Sequence, residues 1–271
     1  MSATEQQREI VWRQALPGEE PPARPGSADE ARRRLQAGNA DFAKLGDHGG
    51  RQVISVGPEA FGLPPVEGTG LAQQPFAAVL ACSDARAPVE LLFNQAGNSI
   101  FVVRVAGNVP GRECLGSLNY AVANLPTVKM ISVLGHTSCG AVSAAVDALL
   151  SPQVYLDVIH DPSLRAIVDA LLAGVRMADQ ALVDTYGRDV RTSAGFRDAL
   201  VDLAVTANAA ITAVVLARAV DCAVTYGVFS LNNRTVGVTG PNGWHAGLQD
   251  PPDGDRSLTE LLRWGATDAG L

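Results

Sequence analysis

A thiol, a carboxylate and a guanidinium lie close together in the segment ACSDAR, residues 81–86, directly after the apolar run FAAVL. Cys82, Asp84 and Arg86 alternate along the chain, so in an extended segment their side chains point to the same side. A second group, His136 and Cys139, follows the apolar run KMISVLG with the spacing H-x-x-C. Thiolate and imidazole together are typical zinc ligands. The two groups predict a metal site if the fold brings them together.

The number of ligands bears on what such a metal would do. Cys82, His136 and Cys139 supply three nitrogen or sulfur ligands, as in catalytic zinc sites, where water takes the fourth position. Asp84 could instead occupy that position and close the site. Arg86 favours the open arrangement, because a guanidinium can bind a carboxylate in a bidentate pair and keep it from the metal. The residues alone leave both arrangements open.

The elements that must position these residues alternate along the chain. Short apolar runs predict strands over FAAVLAC, SIFVVRVAG and KMISVLGH, and helical patterns separate them. This alternation predicts an α/β fold with a central, mainly parallel sheet flanked by helices. Long helices are predicted over residues 160–220, followed by a C-terminal strand pair around an Asn-Asn turn. Ligands of a parallel sheet are expected outside the carboxyl ends of its strands, where both groups can meet.

Two domain-level regions are predicted. Residues 1–27 are expected to form an N-terminal arm with at most one short helix, and residues 28–271 a zinc-dependent catalytic domain. Ser27 and Glu30 have the spacing of a capping box and predict a helix start. Residues 49–70 are predicted to be a Gly/Pro-rich connection, residues 240–255 an irregular segment, and the chain is expected to end in one or two helical turns.

Composition and charge limit the partners. The chain has 271 residues, of which 47% are hydrophobic and 18% charged, enough for one large α/β domain. A net charge of −7 argues against nucleic acid or an anionic membrane as a partner. We expect no membrane-spanning run and no signal peptide, and therefore a cytoplasmic location. In that reducing compartment the four cysteines are expected to remain unpaired.

At these residues the sequence resembles the β-class carbonic anhydrases. The segments ACSDAR, SIFVVRVAGN, GSLNYAVANL and VLGHTSCGAV occur in that family's order and approximate spacing. The resemblance is strong over residues 28–150, weaker over the later helices, and returns at the final strands.

The resemblance implies a role for each site residue. It implies that Zn²⁺ is bound by Cys82, His136 and Cys139, and that Asp84 and Arg86 form the catalytic dyad, with Asp84 also able to bind zinc in a closed form. The substrate-pocket positions of the family are matched by Gln73, Phe101 and Tyr120. In the family, the positions of the last two contribute to the pocket across a dimer interface. Val79 and Ala87 replace the tryptophan and valine of the bicarbonate-inhibited subtype, which favours the open-site subtype.

The implied reaction is the zinc-dependent, reversible hydration of carbon dioxide, a small-molecule substrate, to bicarbonate and a proton, by a homodimer or a dimer of dimers. Two alternatives remain open. One is a hydrolase of carbonyl sulfide or carbon disulfide on the same scaffold, and the other a non-catalytic structural or sensory zinc protein. Because two thiolates already neutralise the charge of the zinc, we expect a weaker Lewis acid than a three-histidine site provides, and activity that rises above neutral pH.

Overall fold

The computed structural model describes residues 7–64 and 66–271. The helices are α1 (Ala28–His48), α2 (Val89–Leu92), α3 (Arg112–Asn124), α4 (Gly140–Leu150), α5 (Pro152–Ile159), α6 (Pro162–Tyr186), α7 (Phe196–Ala219) and α8 (Gly254–Asp268). The strands are β1 (Arg8–Gln14), β2 (Gly50–Val56), β3 (Ala77–Ala81), β4 (Ile100–Arg104), β5 (Met130–His136), β6 (Ala223–Phe229), β7 (Val236–Gly240) and β8 (Gly243–Ala246).

A six-stranded sheet with the order β4-β3-β5-β6-β7-β8 forms the centre of the fold and confirms the predicted fold class. Its first four strands are parallel, and β7 and β8 are antiparallel. Every residue of β3 and β5 is buried, as expected for parallel strands that are covered on both faces. The larger apolar core lies on the side of α3, α4, α6, α7 and α8, and a smaller one lies against α1 and α2.

The register of the two central strands places the predicted ligands together. Ala81, the last residue of β3, pairs with Leu134 of β5. Cys82 and His136 therefore lie at the same edge of the sheet, at the carboxyl ends of neighbouring strands about 4.8 Å apart. The parallel pairing, not sequence proximity, brings the two groups together.

The N-terminal arm differs from the prediction. It contains a strand, β1, whereas an arm with at most one short helix was expected, and β1 pairs in parallel with β2 inside the segment predicted as a connection. Ile10, Val11 and Trp12 are β-branched or aromatic, which favours a strand once a partner is available. Two C-terminal predictions also differ from the structure. The strand β8 lies within the segment expected to be irregular, and α8 has 15 residues where one or two helical turns were expected. Ser27 caps α1 as predicted, accepting a hydrogen bond from the Glu30 amide.

One described helix has the length and composition of a membrane span, although no such run was expected. Among the described residues, α7 alone is long and apolar enough to cross a bilayer, with a mean hydropathy of 2.0. However, 72% of that window is buried inside the fold. The helix packs closely on α6, where a Cβ added to Gly174 would lie 3.2 Å from the backbone nitrogen of Asn208. This burial is typical of a core helix.

Candidate metal site

Three potential ligands meet at the carboxyl edge of the sheet. Cys82 follows β3, His136 ends β5, and Cys139 is the N-cap residue of α4. All three are buried, and their ligand atoms lie within 4.8 Å of one another. The two Sγ atoms are 3.9 Å apart. Two zinc–sulfur bonds of about 2.3 Å at a tetrahedral angle would place the sulfurs about 3.8 Å apart, so the observed spacing fits zinc.

The histidine ring supports the same assignment. Nδ1 of His136 lies 2.9 Å from the Thr137 carbonyl oxygen, to which it can donate its proton. That tautomer leaves a lone pair on Nε2, which is buried and has no hydrogen-bond partner among the described residues. A buried polar atom without a partner is costly. A metal ion would satisfy it, with Thr137 fixing the ring from behind.

The thiols are electrostatically coupled. The thiol of Cys139 and the imidazole of His136 stabilise a thiolate at Cys82, and the pKa of Cys82 is lowered to about 4. The same interaction raises the pKa of Cys139, because a second negative charge beside the first is unfavourable. Burial opposes a charged His136, but the Cys82 thiolate outweighs it and raises the pKa of the ring. Such a site favours a divalent cation, which would allow both thiols to ionise.

Asp84 is held beside this group by Arg86. The Arg86 Nε donates to Oδ1 of Asp84 at 3.0 Å, and Nη2 donates to Oδ2 at 2.7 Å. Nη2 also donates to the Ser138 carbonyl at 3.1 Å, which ties Arg86 to the loop between the other two ligands. These bonds hold the pKa of Asp84 well below its usual range, so the carboxylate is ionised. Asp84 Oδ2 lies 3.8 Å from His136 Nε2, but Asp84 is not part of the three-residue ligand group.

Sequence analysis missed the residues that support Cys82. Arg104 donates to the carbonyl of Cys82 at 2.9 Å and also to the carbonyl of Asp84. The amide of Gly107 donates to the Cys82 sulfur at 3.3 Å. Asn208 in turn donates to the Gly107 carbonyl. The one signal in the sequence is the presence of polar residues within or directly after apolar runs.

The three predicted pocket residues are not part of the ligand group Cys82, His136 and Cys139. Phe101 pairs with Ala78, four residues before Cys82, which corresponds to about 13 Å along the strand. Gln73 is exposed and lines a cavity of about 460 Å³ with Leu71 and other residues. Tyr120 is 53% exposed on α3. Their roles stay predictions.

Together, the fold and the donor set define an α/β protein with a site for a single metal ion, held by two thiolates and one imidazole. Residues 77–185 match the family model described as carbonic anhydrase. The matched range contains Cys82, Asp84, Arg86, His136 and Cys139. The resemblance to the β-class carbonic anhydrases is therefore confirmed, and the family and the donor set together confirm the predicted zinc cofactor.

Curated relatives agree with this family. A carbonic anhydrase of Mycolicibacterium smegmatis is 43% identical over 115 residues, which are 42% of this chain and 54% of that protein. Carbonic anhydrase 2 of Mycobacterium tuberculosis is 46% identical over 82 residues, 30% of this chain and 39% of that protein. The chain thus spans about half or less of the length of these relatives. The solved β-carbonic anhydrase CcaA has a TM-score of 0.48 at 20% identity, covering 65% of this chain and 85% of that chain.

Proposed function

We propose that this protein catalyses the reversible hydration of carbon dioxide to bicarbonate and a proton. The observation that carries the proposal is the Asp84–Arg86 pair beside the ligand group. Arg86 binds both carboxylate oxygens, and Asp84 Oδ2 lies only 3.8 Å from the ligand nitrogen of His136. An ionised, fixed acceptor is thereby placed next to the position where water would react.

The residues divide the chemistry between them. Zinc, when bound by Cys82, His136 and Cys139, supplies a Lewis acid that makes water nucleophilic near neutral pH. Asp84 accepts a hydrogen bond from the attacking water and directs its lone pair towards the carbon of the substrate. Arg86 keeps Asp84 ionised and prevents it from turning towards the metal. The apolar residues around the ligands favour an uncharged substrate.

The substrate pocket is proposed to need a second copy of the chain, as a homodimer or a dimer of dimers in the cytoplasm. Phe101 lies about 13 Å from Cys82 along the strands, so within one chain it is too far to contact a substrate at the metal. Tyr120 is largely exposed and therefore accessible to a partner. We propose that Phe101 and Tyr120 complete the partner's pocket, and that Gln73 binds a substrate oxygen.

Stopped-flow hydration of carbon dioxide by zinc-quantified protein tests this function. We expect turnover that rises between pH 6 and 9, because two thiolates weaken the Lewis acidity of the zinc. Asp84→Asn should keep stoichiometric zinc and lose activity by about 100-fold, the lower range for a positioned proton acceptor. A parallel assay of sulfide release from carbonyl sulfide separates the related hydrolase. Zinc-loaded protein without hydration activity would contradict the proposal.

A further inference from the structure

The Cys82 sulfur receives a hydrogen bond from a loop of unusual conformation. The turn Ala106–Asn108 follows β4, and within it the amide of Gly107 lies 3.3 Å from Sγ of Cys82. Gly107 has a φ of 64°, in the left-handed region that favours glycine. An added Cβ would lie 3.0 Å from Leu171, so a side chain has little space there. The residue that contacts the sulfur therefore has no side chain of its own to fix its position.

An asparagine from a distant helix supplies the missing anchor. Nδ2 of Asn208, on α7, donates to the Gly107 carbonyl at 2.8 Å. Asn208 is 6% exposed and lies in an apolar, largely buried helix. It is also outside the range 77–185 that matches the family. Its hydrogen bond joins α7 to the loop that contacts the metal ligand.

We propose that Asn208 is a positioning residue for the metal site, which holds Gly107 so that its amide donates to the Cys82 sulfur. This inference rests on the proposed function only in requiring a metal at Cys82. The carbonyl and the amide of Gly107 belong to successive peptide groups, so anchoring the carbonyl limits the rotation of the amide. A hydrogen bond to a thiolate withdraws charge from sulfur and tunes its donation to the metal. Without Asn208, the sulfur should become a stronger donor in a less ordered site.

Cobalt-substituted protein reports on this sulfur directly. In Asn208→Leu we expect the sulfur-to-cobalt charge-transfer band to move to longer wavelength, since an unprotected sulfur gives up its electron more easily. We also expect zinc to transfer to a chelator about 10-fold faster, the lower end of the effect of removing a residue that supports a ligand. Asn208→Ala is the second variant. Asn208 lines an existing cavity of about 420 Å³, so truncation enlarges that cavity instead of creating a sealed void.

Thr212→Val is the matched control. Thr212 is buried on the same helix and lines the same cavity, but within the described part of the chain its side chain makes no hydrogen bond to the loop. We expect its charge-transfer band to be unchanged and its zinc release to stay within twofold of wild type. A purely structural role for Asn208 would lower the melting temperature without moving the band.

The outcomes separate this inference from the proposed function. An unchanged band and zinc release within twofold of wild type in both Asn208 variants would overturn the role of Asn208. Failure of the wild type to bind cobalt or zinc would overturn it as well. A wild type that binds metal but does not hydrate carbon dioxide would contradict the proposed function alone, because the two metal measurements do not depend on catalysis.

Discussion

The position of Asp84 depends on Arg86, and Arg86→Ala tests that dependence. The variant removes two side-chain hydrogen bonds to the carboxylate, of 3.0 and 2.7 Å, and keeps the backbone amide bond of 2.8 Å. Because the Arg86 side chain is 56% exposed, solvent screens the pair, and each lost bond favours the held carboxylate by only about 2- to 5-fold. The equilibrium between the held and the released carboxylate should therefore shift by roughly 5- to 30-fold.

Release of the carboxylate should reduce catalysis without loss of zinc. Asp84 Oδ2 already lies 3.8 Å from His136 Nε2, so a small rotation would bring it to a metal bound there. We expect kcat/KM for carbon dioxide to fall by more than twofold, and by no more than the roughly 5- to 30-fold shift in the carboxylate equilibrium, in stopped-flow assays at pH 8. The zinc content should stay at one per chain, since all three ligands are intact. A variant within twofold of wild type would refute the role of the pair.

A second arginine–carboxylate pair provides the control. Arg191 binds both carboxylate oxygens of Asp179, and the side chains are 48% and 14% exposed, close to the 56% and 17% of Arg86 and Asp84. Arg191→Ala and Arg86→Ala should therefore lower the free energy of unfolding by similar amounts. It should leave kcat/KM unchanged, because its pair lies outside the ligand group. An equal loss of activity in both variants would mean that Arg86 acts through stability alone.

Three further predictions concern stability and titration. Gly38→Ala should lower the free energy of unfolding, measured in urea, by about 2 kcal/mol, since a Cβ there would lie 1.9 Å from the Phe93 carbonyl oxygen. Gly116→Ala should raise it by about 0.5–1 kcal/mol, because a Cβ there would have no atom within 4 Å. An increased free energy of unfolding in both variants would contradict this reasoning. The hydrogen bond from Arg13 lowers the pKa of Glu19 to about 2. The stabilisation that this pair gives the arm is therefore present above the pKa of the unfolded chain, about 4.3, and is lost as the pH falls towards 2. Carbon NMR titration should show the midpoint of Glu19 returning towards 4 in Arg13→Ala, and an unchanged midpoint would exclude the pair as its cause. Removing zinc should lower the melting temperature by roughly 5–10 °C when free zinc had been about 100-fold above its Kd, and an unchanged temperature would argue against zinc binding to the folded state.

The ligand segments were predictable because their signals are local. Cys82 and His136 each follow an apolar run short enough to be a strand, and a parallel sheet places the carboxyl ends of its strands at one edge. The alternation of strands and helices was enough to predict that sheet without any knowledge of contacts. Only the adjacency of β3 and β5 had to be taken from the three-dimensional structure.

The N-terminal arm was not predictable in the same way. The strand β1 exists because Val11 pairs with Val53, and a strand needs a partner that its own residues do not specify. The same limit applies to α7, whose apolar length fits a membrane or a protein core equally well. Its packing against α6 and the sheet decides between them.

Asn208, which supports the metal site, was predictable from the sequence in one respect and not in another. An asparagine inside the apolar segment TANAAITAV must find a hydrogen-bond partner if it is buried, because an unpaired amide is costly in a core. The sequence thus requires that Asn208 has a partner, but cannot identify one 101 residues away. That partner is Gly107, whose amide contacts the sulfur of Cys82. A helix outside the family match therefore acts on the metal ligand through two hydrogen bonds, and residues 77–185 alone lack part of the structure that positions their own site.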